Sequence, residues 1–109
     1  MKKSIIPSSM RTFYDEFHFS PAILDDGRLY CSGVIGIDLS SMKVPIDPKE
    51  QFIRAFSNLE QVLGEAGGGM GSLFEMTTFH IGLQENLSVF MEIKDQYIKE
   101  PYPAWTAIG

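Results

Sequence analysis

Between Asp47 and Gly67 the sequence specifies a complete helix with one apolar side, and a chain of 109 residues must bury that side against something. Asp47 can cap the helix, Pro48 suits the first helical position, and Glu50 completes a capping-box pattern. Phe52, Phe56, Leu59, Leu63 and Ala66 then recur at spacings of 4, 3, 4 and 3, which lays them along a single stripe. This stripe reads as core, not as a site. Gly67, first of the run Gly67-Gly68-Gly69, is the expected left-handed cap. The glycine run follows a helix and lacks a Lys-Ser/Thr pair, so it is not a phosphate loop.

The partners for that stripe are strands. Ile5-Ile6 can begin one, interrupted by Pro7-Ser8-Ser9. Residues 16–24 alternate, with Phe17, Phe19 and Ile23 on one parity and His18, Ser20 and Ala22 on the other. Pro21 suggests an edge or a bulge there. Asp25-Asp26-Gly27-Arg28 reads as a hairpin turn, because Asp-Gly supplies positive φ, and Leu29 to Ile35 is the return strand. Gly33 falls inside that strand. It marks either a close approach by a ligand or a neighbouring chain, or a simple bulge. Residues 36–46 read as a loop, and Leu73 to Leu83 as a long strand with Met76, Thr78, His80 and Gly82 on one parity. His80 has no second ligand at metal spacing. It is either a half-buried histidine or a catalytic one.

Asn86 is the expected cap of a second helix over 87–99. Leu87, Phe90, Ile93 and Tyr97 would face inward, and Glu92, Lys94, Asp95 and Lys99 outward. Pro101 should end this helix, and Pro103 biases Tyr102 toward extended geometry. Trp105 then stands at the start of a last strand, either packed in a core or lining a cleft. The order strand, strand, helix, strand, helix, strand predicts an α+β fold in one domain spanning 1–109, a mixed sheet with both helices on one face.

Composition narrows the function. The formal charge of −5 and the lack of any basic run beyond Lys2-Lys3 argue against nucleic acid. No apolar run approaches a membrane span, and the start does not read as a signal peptide. Cys31 is the single cysteine, so no internal disulfide forms and a cytoplasmic setting is the default. There is no metal cluster, cofactor fingerprint or nucleophile triad in the pattern.

Several segments in order resemble the reactive-intermediate deaminase family, the RidA or YjgF-like (endoribonuclease L-PSP-like) proteins. Phe19-Ser20-Pro21-Ala22 is similar to the family's Tyr-Ser-Gln-Ala. Tyr30-Cys31-Ser32-Gly33-Val34-Ile35-Gly36 resembles its Ser-Gly-Gln strand. Ala55-Phe56-x-Asn58-Leu59-x-x-Val62-Leu63-x-x-Ala66-Gly67 resembles its long helix, Thr77-Thr78 its paired threonines, and Pro103-Ala104 its Pro-Ala-Arg. The resemblance runs from about residue 16 to the end of the chain. It implies a chorismate-mutase-like α+β fold and a homotrimer with small-molecule clefts between subunits. It also implies cofactor-free hydrolysis of enamines and imines such as 2-aminoacrylate. The cleft candidates it carries over are Phe19, Ser32, Gly33, Val34, Met91, Trp105 and Thr106, with no catalytic residue assigned.

Two departures accompany it. Trp105 stands where the family has the arginine that clamps a substrate carboxylate, and Met91 stands where an asparagine is usual. An indole has one donor and no charge, so it cannot replace a guanidinium. Val34 stands for the glutamine of Ser-Gly-Gln, which makes the expected cleft more apolar. The family also continues past the position of Gly109 with a further strand pair that carries an acidic cleft residue. This chain stops before that strand, which leaves the expectation of an exposed sheet edge. The resemblance therefore implies a deaminase-type hydrolase of altered specificity, or a trimer that binds a small molecule without turnover.

Overall fold

In a computed structural model describing residues 1–109, Asp26 and Gly27 take φ of 51° and 73°. This is the left-handed pair that a two-residue hairpin needs. They join β2 (Ala22–Asp25) to β3 (Arg28–Cys31), and β1 (Lys3–Ile5) pairs antiparallel with the other edge of β2. Both flanking strands are shorter than the alternation predicts. A short helix, α1 (Arg11–Asp15), precedes β2, and its end draws in the following backbone: Phe17 N donates to Thr12 O and Phe19 N to Phe13 O. Residues 16–19 therefore turn instead of extending. Past Cys31 the carbonyls of Ile35 and Ile37 accept from Asn58 Nδ2 at 3.2 and 2.8 Å. They are spent on a helix side chain and not on a strand ladder.

The long helix, α2 (Pro48–Glu65), forms as expected. Asp47 Oδ1 accepts from Lys49 N at 3.2 Å, Pro48 opens the first turn, and Gly67 (φ 84°) follows the end. Its buried residues are Phe56, Asn58, Val62 and Leu63. That face is wider than the five-residue stripe because α2 serves two cores. Val62 packs with Ile5, Met10 and Ala22 over the β1–β3 sheet. Phe56 packs with Phe90, Ile93 and Ile98 over the second sheet.

That second sheet is a parallel pair, β4 (Glu75–Phe79) and β5 (Ala104–Ile108), with Met76 opposite Trp105 and Phe79 opposite Ile108. The crossover is α3 (Leu83–Tyr97). Here the expected boundaries shift. β4 ends at Phe79, and Gly82 at φ 72° caps α3 four residues earlier than Asn86 would. Asn86 instead sits in the first turn, where N and Nδ2 both donate to Gly82 O, at 3.1 and 3.2 Å. The helix also stops before Pro101 can end it. Ile98 turns extended (φ −114°, ψ 120°) and plugs into the core. Lys94, expected outward, is only 8 % exposed. The architecture is α+β with α2 and α3 packed together over the strands, which divide into an antiparallel and a parallel set. β5 is paired on one side only.

Candidate functional site

The cleft candidates fall into two groups. Phe19 and Ser32 lie at the mouth of the β2–β3 hairpin. The Ser32 hydroxyl donates to Ser20 O at 2.6 Å, and its N–H to Pro21 O at 3.0 Å. Phe19 stacks on Phe13 with ring centroids 5.3 Å apart. Gly33 and Val34 continue this stretch. Gly33 lies beyond β3, so it is not a glycine interior to a strand, and a Cβ added there would meet nothing within 4 Å. The close approach belongs to Gly36, where a Cβ would overlap the Gln51 backbone carbonyl.

The second group is on the other sheet. Met91 is on α3, and Trp105 and Thr106 are on β5. Successive residues of a strand point to opposite faces, and β5 alternates exposed and half-buried. Trp105 therefore faces the helices of its own subunit, while Thr106 faces outward. The indole stacks on Phe90 at 5.8 Å, and Lys94 Nζ stands 5.0 Å over its ring. Trp105 thus lies at the half-buried margin of its own core. The ring does not open onto the outward sheet face.

Three functional groups around Trp105 were not expected to act together. Its Nε1 donates to Thr78 Oγ1 at 2.9 Å, and the same hydroxyl lies 2.7 Å from His80 Nε2. Parity places Thr78 and His80 on one side of β4. Finding Trp105 beside them needs the parallel register of β4 and β5, which no local pattern states. His80 packs edge-on to Phe90 at 4.6 Å, and burial among these rings pushes its pKa below the ordinary 6.5. Lys94 lies between the Trp105 and Tyr102 rings, with Asp95 Oδ1 at 3.6 Å.

Two open concavities include none of the cleft candidates. One, of about 410 Å³, is polar and includes Asp38, Arg54, Asn58 and Gln61. The other, of about 510 Å³, includes Asp95, Lys99, Glu100 and Tyr102. In the first, the Asp38 carboxyl is held below its usual range, chiefly by hydrogen bonds from the Ser40 hydroxyl and backbone. No group of three or more His, Cys, Asp or Glu side chains could hold a metal ion, and no helix is long and apolar enough to cross a membrane.

Comparison with known proteins agrees with this fold. The chain is similar to the RutC family protein YjgH of Escherichia coli K12, 29 % identical over 109 residues that cover 99 % of this chain and 82 % of YjgH. A solved structure of YJGH superposes with a TM-score of 0.89 at 28 % identity, covering 99 % of this chain and 83 % of that one. RidA from the Antarctic bacterium Psychrobacter sp. PAMC 21119 superposes with a TM-score of 0.76 at 25 % identity, covering 83 % of this chain and 72 % of that one. The sequence profile of the Endoribonuclease L-PSP family matches residues 11–109. With the profile, the relatives and the fold in accord, the chain belongs to the Endoribonuclease L-PSP family and is a RidA/YjgF-like member of it.

Proposed function

We propose that the protein is a cofactor-free hydrolase of the enamine/imine deaminase type, acting in the cytoplasm on a small metabolite in clefts between the subunits of a homotrimer. The observation that carries this reading is the division of the cleft candidates. Phe19, Ser32, Gly33 and Val34 flank the antiparallel sheet of the subunit, and Met91, Trp105 and Thr106 belong to the other sheet and its helix. A second copy can bring the two groups face to face, and the outward surface favours one. Phe79 and Ile108, paired across β4 and β5, are 77 % and 46 % exposed, and Tyr30 and Ile35 add to the exposed apolar surface.

In such a cleft, water adds to the C=N carbon of the imine, the C–N bond breaks, and ammonia leaves with a carbonyl product. The standard 2-aminoacrylate reaction should be poor. The indole N–H is already spent on Thr78, and the one nearby cation, Lys94, lies behind the ring and next to Asp95. Losing a charge-assisted pair to a carboxylate costs roughly 1.5–3 kcal/mol, hence one to two orders of magnitude in turnover. The same observation supports a second reading, a trimer that binds a neutral or aromatic metabolite without hydrolysing it.

The test is release of the 2-keto acid from 2-aminoacrylate and 2-iminobutanoate, with the oligomeric mass measured in the same buffer. A trimer with rates well below those of arginine-bearing relatives is expected. Rates equal to theirs would remove the role given to Trp105, and a monomer would remove the cleft. Ligand-induced change in Trp105 emission without turnover would favour the binding reading.

A further inference from the structure

We propose that Thr78 and His80 are positioning residues for Trp105: they hold the only donor of the indole inside the subunit, and they do so most firmly while His80 is uncharged. An indole N–H can donate and never accept, whereas a hydroxyl carries one proton and two acceptor sites. Trp105 Nε1, 2.9 Å away, therefore takes one acceptor site of Thr78 Oγ1. With the imidazole protonated on Nδ1 alone, the Thr78 proton donates to His80 Nε2, 2.7 Å away. In that state the indole N–H and the Thr78 hydroxyl proton each have an acceptor. Adding a proton to Nε2 reverses the second bond: the indole and the imidazolium then both donate to Thr78 Oγ1, filling its two acceptor sites, and the hydroxyl proton loses its acceptor. A hydroxyl that no longer donates, and that is shared with a charged donor, holds the indole N–H less firmly.

The surroundings favour the uncharged state. α2 presents the Phe52 ring to His80 at 6.3 Å, α3 the Phe90 ring at 4.6 Å, and β5 the Ile108 carbonyl, which accepts from His80 N at 2.8 Å. Neither helix gives the imidazole an ion pair. The charged pairs on these elements are Lys94 with Asp95 on α3, Lys49 with Glu92 between α2 and α3, and Arg54 of α2 with Asp38. Lys94, over the Trp105 ring, carries the same sign as an imidazolium. Burial lowers the His80 pKa in the same sense.

The test reads emission and not turnover, so it is independent of the hydrolase reading. Trp105 is the only tryptophan and His18 the only other histidine, which makes both signals assignable. Emission is followed between pH ~5 and ~8 while the imidazole protons are followed by NMR. The expected result is an emission transition that shares its midpoint with His80, below 6.5. It should vanish in His80→Gln, whose amide oxygen accepts from Thr78 but does not titrate. It should persist in Thr78→Ser and vanish in Thr78→Val while His80 still titrates. A transition surviving in His80→Gln or Thr78→Val would overturn the proposal. So would flat wild-type emission while the His80 resonance moves. If Thr78→Val does not fold, the Gln and Ser variants still decide.

Discussion

In the β1–β2–β3 half, every pairing is antiparallel and β2 and β3 are closed by two turn residues, whereas β4 and β5 run parallel and meet only through the 15 residues of α3. The first arrangement is dictated locally, by the positive φ of Asp26 and Gly27. The second has no local cause. It is held by rings: Phe90 alone lies against Phe52, Phe56, His80 and Trp105. Turn chemistry fixes a shape and leaves its faces free, so the hairpin half can expose Phe17, Phe19 and Tyr30. Side-chain packing fixes a shape by filling it, and this is where a hydroxyl, an imidazole and an indole are pressed into one chain of bonds.

Three perturbations sharpen this contrast. The largest effect is expected from Phe90→Ala, which removes a ring that is 5 % exposed and should cost about 3–5 kcal/mol in denaturant unfolding. Because α2 carries both cores, amides of β2 and β3 should lose hydrogen-exchange protection along with those of β4 and β5. Loss confined to β4 and β5 would mean that the halves are independent. Gly36→Ala acts at the junction, where the chain leaving the hairpin half presses on the first turn of α2. The added methyl overlaps the Gln51 backbone, which must move, at a cost of about 1–3 kcal/mol. An unchanged melting curve would show that this contact yields freely.

The smallest effect is a pH slope confined to the packed half. The pKa of His80 is lowered in the fold, so below 6.5 the unfolded chain binds the proton more readily. The contribution of His80 to stability is whole above 6.5 and falls as pH drops through the window down to its folded value. His80→Gln should flatten this slope in urea titrations, and an identical slope in the variant would assign it to another group.

The same contrast explains what the amino-acid sequence disclosed. Asp47-Pro48, Gly67 and Asp26-Gly27 act through their own backbone, and each was legible and correctly placed. Alternation at residues 16–24 misled, because the end of α1 claims the backbone that the pattern would give to a strand. Residues 32–35 misled because Asn58, 23 residues further on, takes the Ile35 carbonyl. A lysine on a helix usually faces outward, and Lys94 does not. Its burial depends on Trp105 and Tyr102 arriving over it from beyond the helix. The segments that carry the family likeness were visible as a series. That Trp105 turns toward Thr78 and His80 was not, since it follows from a register between strands on either side of a helix.

The parallel pairing of β4 and β5 also orders events in time. A two-residue hairpin closes quickly, while strands joined by a crossover must await the packing of the intervening helix before their contacts repay the lost chain entropy. Trp105 should therefore reach its place among the latest parts of the chain to settle, and its emission during refolding is expected to report completion of the domain and not its beginning.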